Sequence, residues 1–200
     1  MERDTADKII DTATPLFAKK GFVAVTIREV ADAAQINSSA ISYYFKGKEG
    51  LYQAVLKKIF LPVANLLKNV ETMNKMEPIE RLSIYAQNIS IIHHQRPFLA
   101  RFVHSELANP TPCGEALIKE YISQLYQFVY LSLREGVDTG AFAPDLNLNY
   151  ATVSLAGIMN FYFLIAPLVE DILVSKQSGE EYTAQALRIY LDGIKVKENP

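Results

Sequence analysis

The chain has 200 residues, 50% of them hydrophobic and 21% charged, with nine glycines and nine prolines, the profile of one ordinary globular domain or of two small ones sharing a core. Twenty Lys and Arg against twenty-two Asp and Glu leave a formal charge of -2, which excludes a histone-like polycation and an acidic disordered tail. Taken whole, that balance also argues against a nucleic-acid partner. Cys113 is the one cysteine, so an intrachain disulfide, a CxxC redox pair and a zinc ribbon are excluded, and the chain reads as cytoplasmic.

Met1-Glu2-Arg3-Asp4 is charged and leads into no continuous apolar run, so no signal peptide is expected. Gly and Pro fall where helical periodicity lapses, at Gly21, Gly47, Pro78, Pro97, 110–114, 136–144 and Gly179, and the segments between them have helical length. Period-2 alternation and internal repeats are not found. The predicted fold is all-α, with about nine helices.

The first helix, about Asp4 to Lys20, carries Ile9, Ile10, Ala13, Leu16 and Phe17 on one stripe and stops at Gly21. Pro15 inside it removes the bond to the Asp11 carbonyl and is expected to kink it, unless the first turns are already frayed. Thr26-Ile27-Arg28-Glu29 is a capping box: the Thr26 hydroxyl accepts from the Glu29 N–H while the Glu29 carboxylate reaches back to the Thr26 N–H. Ile27, Val30, Ala31 and Ala34 then give a short helix with a narrow face of small apolar residues, which lets a neighbour approach closely.

After Gln35-Ile36, Asn37 caps a second short helix, Ser38 to Phe45, with Ile41 and Phe45 pointing inward and Ser38, Ser39, Ser42 and Tyr43 pointing elsewhere. Two short helices joined by so tight a turn form a helix-turn-helix. Lys46-Gly47-Lys48-Glu49 opens a long helix, Leu51 to about Glu71. Lys48 opposes the dipole at that N-terminus, so it is better explained by an external anion.

The run Phe17 to Leu51, FAKKGFVAVTIREVADAAQINSSAISYYFKGKEGL, closely resembles the DNA-binding region of the tetracycline-repressor (TetR) family. Phe17, Gly21, Thr26, Ala31, Ala34, Tyr43, Phe45, Lys46, Lys48, Glu49 and Leu51 match its pattern in register, and the resemblance covers about the first 60 residues. Gln35 stands where members usually carry Gly, so the turn must accept a residue with a Cβ. Ser42 and Tyr44 replace the usual Tyr and His, both on the recognition helix.

The resemblance implies a homodimeric, sequence-specific transcriptional regulator, most simply a repressor released from a palindromic operator by a small-molecule effector, and not an enzyme. In a helix-turn-helix the second helix enters the major groove and the first crosses the backbone. Thr26, Tyr43, Tyr44 and Lys48, with Arg28 and Lys46, are then the candidates for phosphates, and Ser38, Ser39, Ala40 and Ser42 meet base edges. Such small side chains imply modest direct readout, with DNA shape contributing.

The implied domains are 1–50 for DNA binding, a long connecting helix about 48–71, and 72–200 for effector binding and dimerisation. In the latter, Arg81–Arg96, Phe98–Ala108, Glu115–Glu135, Leu146–Val169 and Glu180–Lys195 read as helices. Glu115–Glu135 is apolar on several sides and so is expected to be enclosed by others. Phe98, Phe102, Tyr121, Gln124, Phe128, Asn160 and Tyr162 are candidate pocket residues, with a packed aromatic core as the plain alternative. Val153–Val169 is short for a membrane span and carries Ser154, Asn160 and Pro167, which favours a buried or subunit-interface helix over a membrane one. With Tyr182–Ile194 it forms the pair that the resemblance assigns to dimerisation, placing two recognition helices about 34–36 Å apart.

Tyr43, Tyr44 and Phe45 could instead simply dock the short helix, although adjacent tyrosines on a helix cannot both face a core. His93 and His94 diverge on a helix, and with His104 they complete no metal-ligand spacing; neither metal nor cofactor is expected. Cys113 has no basic neighbour in sequence to activate it. A helical protein-binding adaptor without DNA affinity stays open, as does an enzyme whose site converges from distant residues, although GxSxG, HExxH, GxGxxG and P-loop spacings are lacking. Residues 1–60 hold nine basic against seven acidic side chains and 61–200 hold eleven against fifteen, so the sign of the charge separates with the proposed domains.

Overall fold

A computed structural model of the chain describes residues 2–68, 73, 75–169 and 178–196. Among them run nine helices: α1 (Glu2–Ala24), α2 (Ile27–Ala34), α3 (Ser38–Phe45), α4 (Lys48–Lys68), α5 (Pro78–Gln95), α6 (Leu99–Ala108), α7 (Glu115–Asp138), α8 (Leu148–Val169) and α9 (Gly179–Ile194). The all-α expectation holds, and the bounds differ from the predicted ones by a turn or less, apart from the extension of α4 towards 71, which lies outside the described residues. Pro78 lies inside α5 at its first turn rather than in the preceding loop, where its missing N–H has no partner to lose and its fixed φ suits the helix.

By their contacts the residues divide into two units, Met1–Leu61 with Phe98–Tyr121 and Pro62–Pro97 with Ile122–Pro200. The first unit buries Ile9, Ala13 and Phe17 of α1, Val25, Val30, Ala31 and Ala34, Ile41 of α3 and Leu51, Tyr52, Val55 and Leu56 of α4. Within each helix these positions recur at helical spacing, so each short helix has one apolar face and needs its neighbours to cover it.

Pro15 does not break α1. The backbone angles stay helical through it, and the non-helical pair is at Gly21. Two features hold the flanking turns together: Ile9, Ala13 and Phe17 are buried on both sides of the proline, and Lys58 of α4 bridges Asp7 at 3.0 Å and Asp11 at 2.8 Å.

In the second unit α5, α8 and α9 pack in mutual contact. Antiparallel α8 and α9 are pinned by two phenols donating to backbone carbonyls, Tyr182 Oη to Ile158 at 2.6 Å and Tyr190 Oη to Ala151 at 2.8 Å. In the part of α7 that belongs to this unit, Phe128, Val129, Ser132 and Leu133 are buried while Leu131 is exposed, so it is enclosed on one side rather than all round. It runs through Gly136, where a Cβ would stand 2.2 Å from the buried Phe142 ring; this glycine admits the ring and does not end the helix. Phe142 also bridges Lys195 in antiparallel fashion.

Candidate nucleic-acid interface

The geometry of the α1–α4 segment starts at Gly21. Its φ of 77° and ψ of 166° belong to a region that is essentially glycine's alone, and a Cβ there would meet nothing within 4 Å. The requirement is one of backbone conformation, not of space. The turn lays half-buried Phe22 against the core, its ring 4.9 Å from Tyr52 and 6.3 Å from Phe17.

Thr26 then caps α2, its hydroxyl accepting from the Glu29 N–H at 3.1 Å. The reciprocal half of the expected capping box is replaced. Glu29 is taken by the Lys20 ammonium at 2.5 Å, and this hydrogen bond holds its carboxyl below the usual range. A full charge outcompetes a backbone N–H for a carboxylate. Gln35 ends α2 in the left-handed conformation (φ 55°, ψ 50°), its N–H bonded to Ala31 and Asp32 carbonyls, so a side chain occupies the turn in glycine's usual geometry.

Asn37 caps α3 by accepting from the Ser39 N–H at 2.9 Å, and the helix ends at left-handed Lys46 (φ 60°, ψ 20°). Ile41 is fully buried, which leaves Ser38, Ser39, Ser42 and Tyr43 exposed and Ala40 and Tyr44 half-buried. Phe45, expected inside, is half-buried, since it ends the helix and packs by its ring 6.2 Å from Tyr44. Tyr43 is 73% exposed, so the docking-cluster account fails for it. One face of α3 is therefore a row of hydroxyls in solvent.

Thr26, Arg28 and Lys46 are exposed as well, Thr26 and Lys46 in the loops that flank the two helices and Arg28 on the first turn of α2. Lys48 is half-buried and already engaged: its ammonium donates to the Val23 carbonyl at 3.0 Å and lies 4.6 Å from the centroid of Phe22. Both groups come from the segment just after Gly21, and together they offset the dipole at the start of α4. The spacing of lysines pointed to an anion but not to this internal seat.

The candidate pocket residues are divided between the two units. Phe98, Phe102 and Tyr121 belong to the first unit, where Phe102 is buried 6.1 Å from Tyr52 and Tyr121 stacks on Phe60 at 5.1 Å. Gln124, Phe128, Asn160 and Tyr162 belong to the second, where Gln124 is exposed and Tyr162 stacks on Tyr182 at 4.3 Å. Phe128 lies beside Tyr85, their ring centroids 6.5 Å apart.

Around Asn160 is a polar cluster that sequence periodicity did not single out. His93 is 6% exposed, bonds Asn160 Oδ1 through Nε2 at 3.1 Å, and stacks on Phe163 at 4.1 Å. Burial depresses its basicity, with the Asn160 bond opposing in part, and raises the Tyr85 phenol to about 12. His94 and His104 are exposed, so the expected divergence of the adjacent histidines is found. Among the described residues no group of three His, Cys, Asp or Glu could hold a metal.

Residues 9–55 match the family model described as bacterial regulatory proteins, tetR family. Over 98% of its length the chain is 28% identical to the "Probable HTH-type transcriptional regulator YttP" of Bacillus subtilis (strain 168), covering 93% of that protein. It is 26% identical to the HTH-type transcriptional repressor KstR2 of Mycolicibacterium smegmatis over 72% of this chain and 70% of that one. The fold is similar to the crystal structure of HlyIIR, a hemolysin II transcriptional regulator, with a TM-score of 0.75 at 23% identity, covering 98% of this chain and 100% of that one.

Proposed function

We propose that this chain, which belongs to the TetR family of bacterial regulatory proteins, is a homodimeric repressor that binds a palindromic operator in the cytoplasm and leaves it when a small molecule enters its helical domain. DNA-binding transcriptional regulation, not catalysis, is the activity of the family and of the relatives named above. The observation that carries the reading is the exposed face of α3. Ser38, Ser39 and Ser42 stand in solvent on a helix held by buried Ile41, and Thr26, Arg28, Tyr43, Tyr44, Lys46 and Lys48 are the other candidates of the helix-turn-helix segment. Hydroxyls on a rigid helix read base edges, and the surrounding hydroxyls and cations hold phosphates.

Dimerisation through α8 and α9 is supported by what α8 leaves uncovered. It is long and apolar enough to cross a membrane, yet its buried residues are Ala151, Thr152, Leu155 and Met159, while Tyr150, Val153, Phe161 and Leu168 are exposed. Successive residues turn by about 100°, so 150, 153, 157, 161 and 168 share an arc of about 80°. A Cβ on Gly157, within that arc, would meet nothing within 4 Å, which gives a second helix room to approach. A second copy of this chain is the occupant that the operator symmetry requires.

For the effector, the candidates of the second unit are Phe128, Asn160 and Tyr162 with Gln124, to which His93 is added by its bond to Asn160 and Tyr85 by its ring contact with Phe128; Phe98, Phe102 and Tyr121 stay as candidates of the first unit. The 1–50, 48–71 and 72–200 division of labour is kept as the functional one. The decisive measurement is binding to duplexes selected by the protein from a random pool, across a salt series. Affinity that falls steeply and linearly in log–log form supports the repressor; a flat response, as expected of a protein-binding adaptor, removes it.

A further inference from the structure

We infer that Tyr52 and Glu106 are positioning residues for the DNA contact of Lys48; the inference rests on the phosphate role proposed for that lysine. All the groups involved belong to the first unit. Glu106 is 3% exposed, and its carboxylate accepts from the Tyr52 hydroxyl at 2.6 Å, from the Thr111 N–H at 3.0 Å and from the Thr111 hydroxyl at 3.0 Å and 3.2 Å. Glu106 belongs to the last turn of α6, and its carboxylate reaches the loop that precedes α7. A Cβ on Gly114 would stand 2.7 Å from its Oε2, so glycine at 114 lets the loop close on the carboxylate. Gln53 adds a bond to the Cys113 carbonyl at 3.0 Å.

A buried carboxylate with its acceptors used in this way cannot turn without orphaning donors, and so its direction is fixed. It holds the Tyr52 hydroxyl, and the Tyr52 ring is thereby wedged edge-on to Phe17 at 5.0 Å and against Phe22 at 4.9 Å. Phe22 in turn carries the Lys48 ammonium on its face at 4.6 Å, and the next residue, Val23, accepts from that ammonium at 3.0 Å. Lysine otherwise has much rotamer freedom to lose on meeting a phosphate. Seated this way it has lost it beforehand, with two of its three N–H donors left to offer. The relay Glu106–Tyr52–Phe22–Lys48 thus preorganises a cation on which no direct hydrogen bond from Glu106 or Tyr52 falls.

The test is a double-mutant cycle on binding to a duplex enriched by the wild-type protein from a random pool. Lys48→Ala must first weaken binding and lower the salt slope; if it changes neither, the phosphate role of Lys48 is what fails. Given that, Tyr52→Phe, which keeps the ring and removes the hydroxyl, is expected to weaken binding about fivefold, the net worth of one hydrogen bond, and to have no further effect in the Lys48→Ala background. Equal losses in both backgrounds, or none in the wild-type one, overturn the positioning role. Glu106→Gln read in the same cycle serves if Tyr52→Phe does not fold, and circular dichroism at the assay temperature confirms that the folded fraction is unchanged.

Discussion

A β-carbon placed on Gly50 would stand 1.8 Å from the carbonyl oxygen of Phe45. The last turn of α3 therefore touches the first turn of α4 through backbone, and backbone cannot swing aside as a flexible side chain can. Gly50→Ala is expected to destabilise the chain by about 1–3 kcal/mol, the range for forcing volume into a packed site, and to weaken DNA binding further because α3 is displaced. Thermal unfolding and an affinity measured well below the transition check the two effects separately; a variant matching wild type in both would contradict the close approach.

Gly21 and Gln35 make opposite predictions from the same backbone argument. Gly21→Ala forces a side chain into a glycine-only region and is expected to cost about 1–3 kcal/mol, even though the added methyl would meet nothing within 4 Å. Gln35 already occupies the left-handed region (φ 55°), which disfavours any residue with a Cβ by about 1–2 kcal/mol. Gln35→Gly should stabilise by up to about 1 kcal/mol once the larger unfolded-state entropy of glycine is deducted. Urea denaturation of the two variants gives midpoints on opposite sides of wild type.

These turns were legible because their rules are local. Thr26, Asn37 and the apolar spacing of α2 and α3 act within four residues, and the helices sit where that spacing put them. What escaped depends on distant partners. Glu29 looks like half of a capping box until Lys20, nine residues away, takes it. Pro15 stands between turns that Lys58, more than forty residues on, ties through Asp7 and Asp11. Glu106 meets Tyr52 across 54 positions and His93 meets Asn160 across 67, and no periodicity encodes such pairings.

The roles around α3 separate by how they respond to sequence and salt. Lys48→Ala is expected to weaken binding to every duplex alike and to lower the salt slope by about 1. Exposed Ser38 and Ser42 touch no phosphate in the proposed docking, so Ser38→Ala or Ser42→Ala should shift base preference while leaving the slope alone. Selection from a random pool with each variant, followed by a salt titration, distinguishes the two patterns. An altered preference with Lys48→Ala and an unchanged slope would show the assignments to be reversed.

His93 gives the second unit a stability that depends on pH. Burial holds its imidazole below the ordinary value, so below about pH 6.5 the unfolded chain takes up a proton that the folded one resists. Protons then favour unfolding, and the stability contributed by a neutral His93 declines as pH falls from there towards its depressed folded value. His93→Gln can keep a bond to Asn160 without titrating, and the acid-side fall in melting temperature should become shallower.

Phe161 is the residue on which the proposed dimer can be tested most directly. It is 59% exposed on the arc shared with Tyr150, Val153, Gly157 and Leu168, and aromatic anchors at the centre of an interface carry a large share of its energy. In a two-fold interface each substitution counts twice. Phe161→Arg is therefore expected to raise the dimer dissociation constant at least a hundredfold, about 3 kcal/mol in all, without lowering the stability of a helix whose buried residues lie on its other face. Sedimentation velocity on wild type and variant reads this as a shift from dimer to monomer. The same variant should lose operator affinity while retaining salt-dependent binding to a duplex with one half-site, because the α2–α3 pair is untouched. A wild-type chain that sediments as a monomer, or a variant that stays dimeric, would refute pairing through this face.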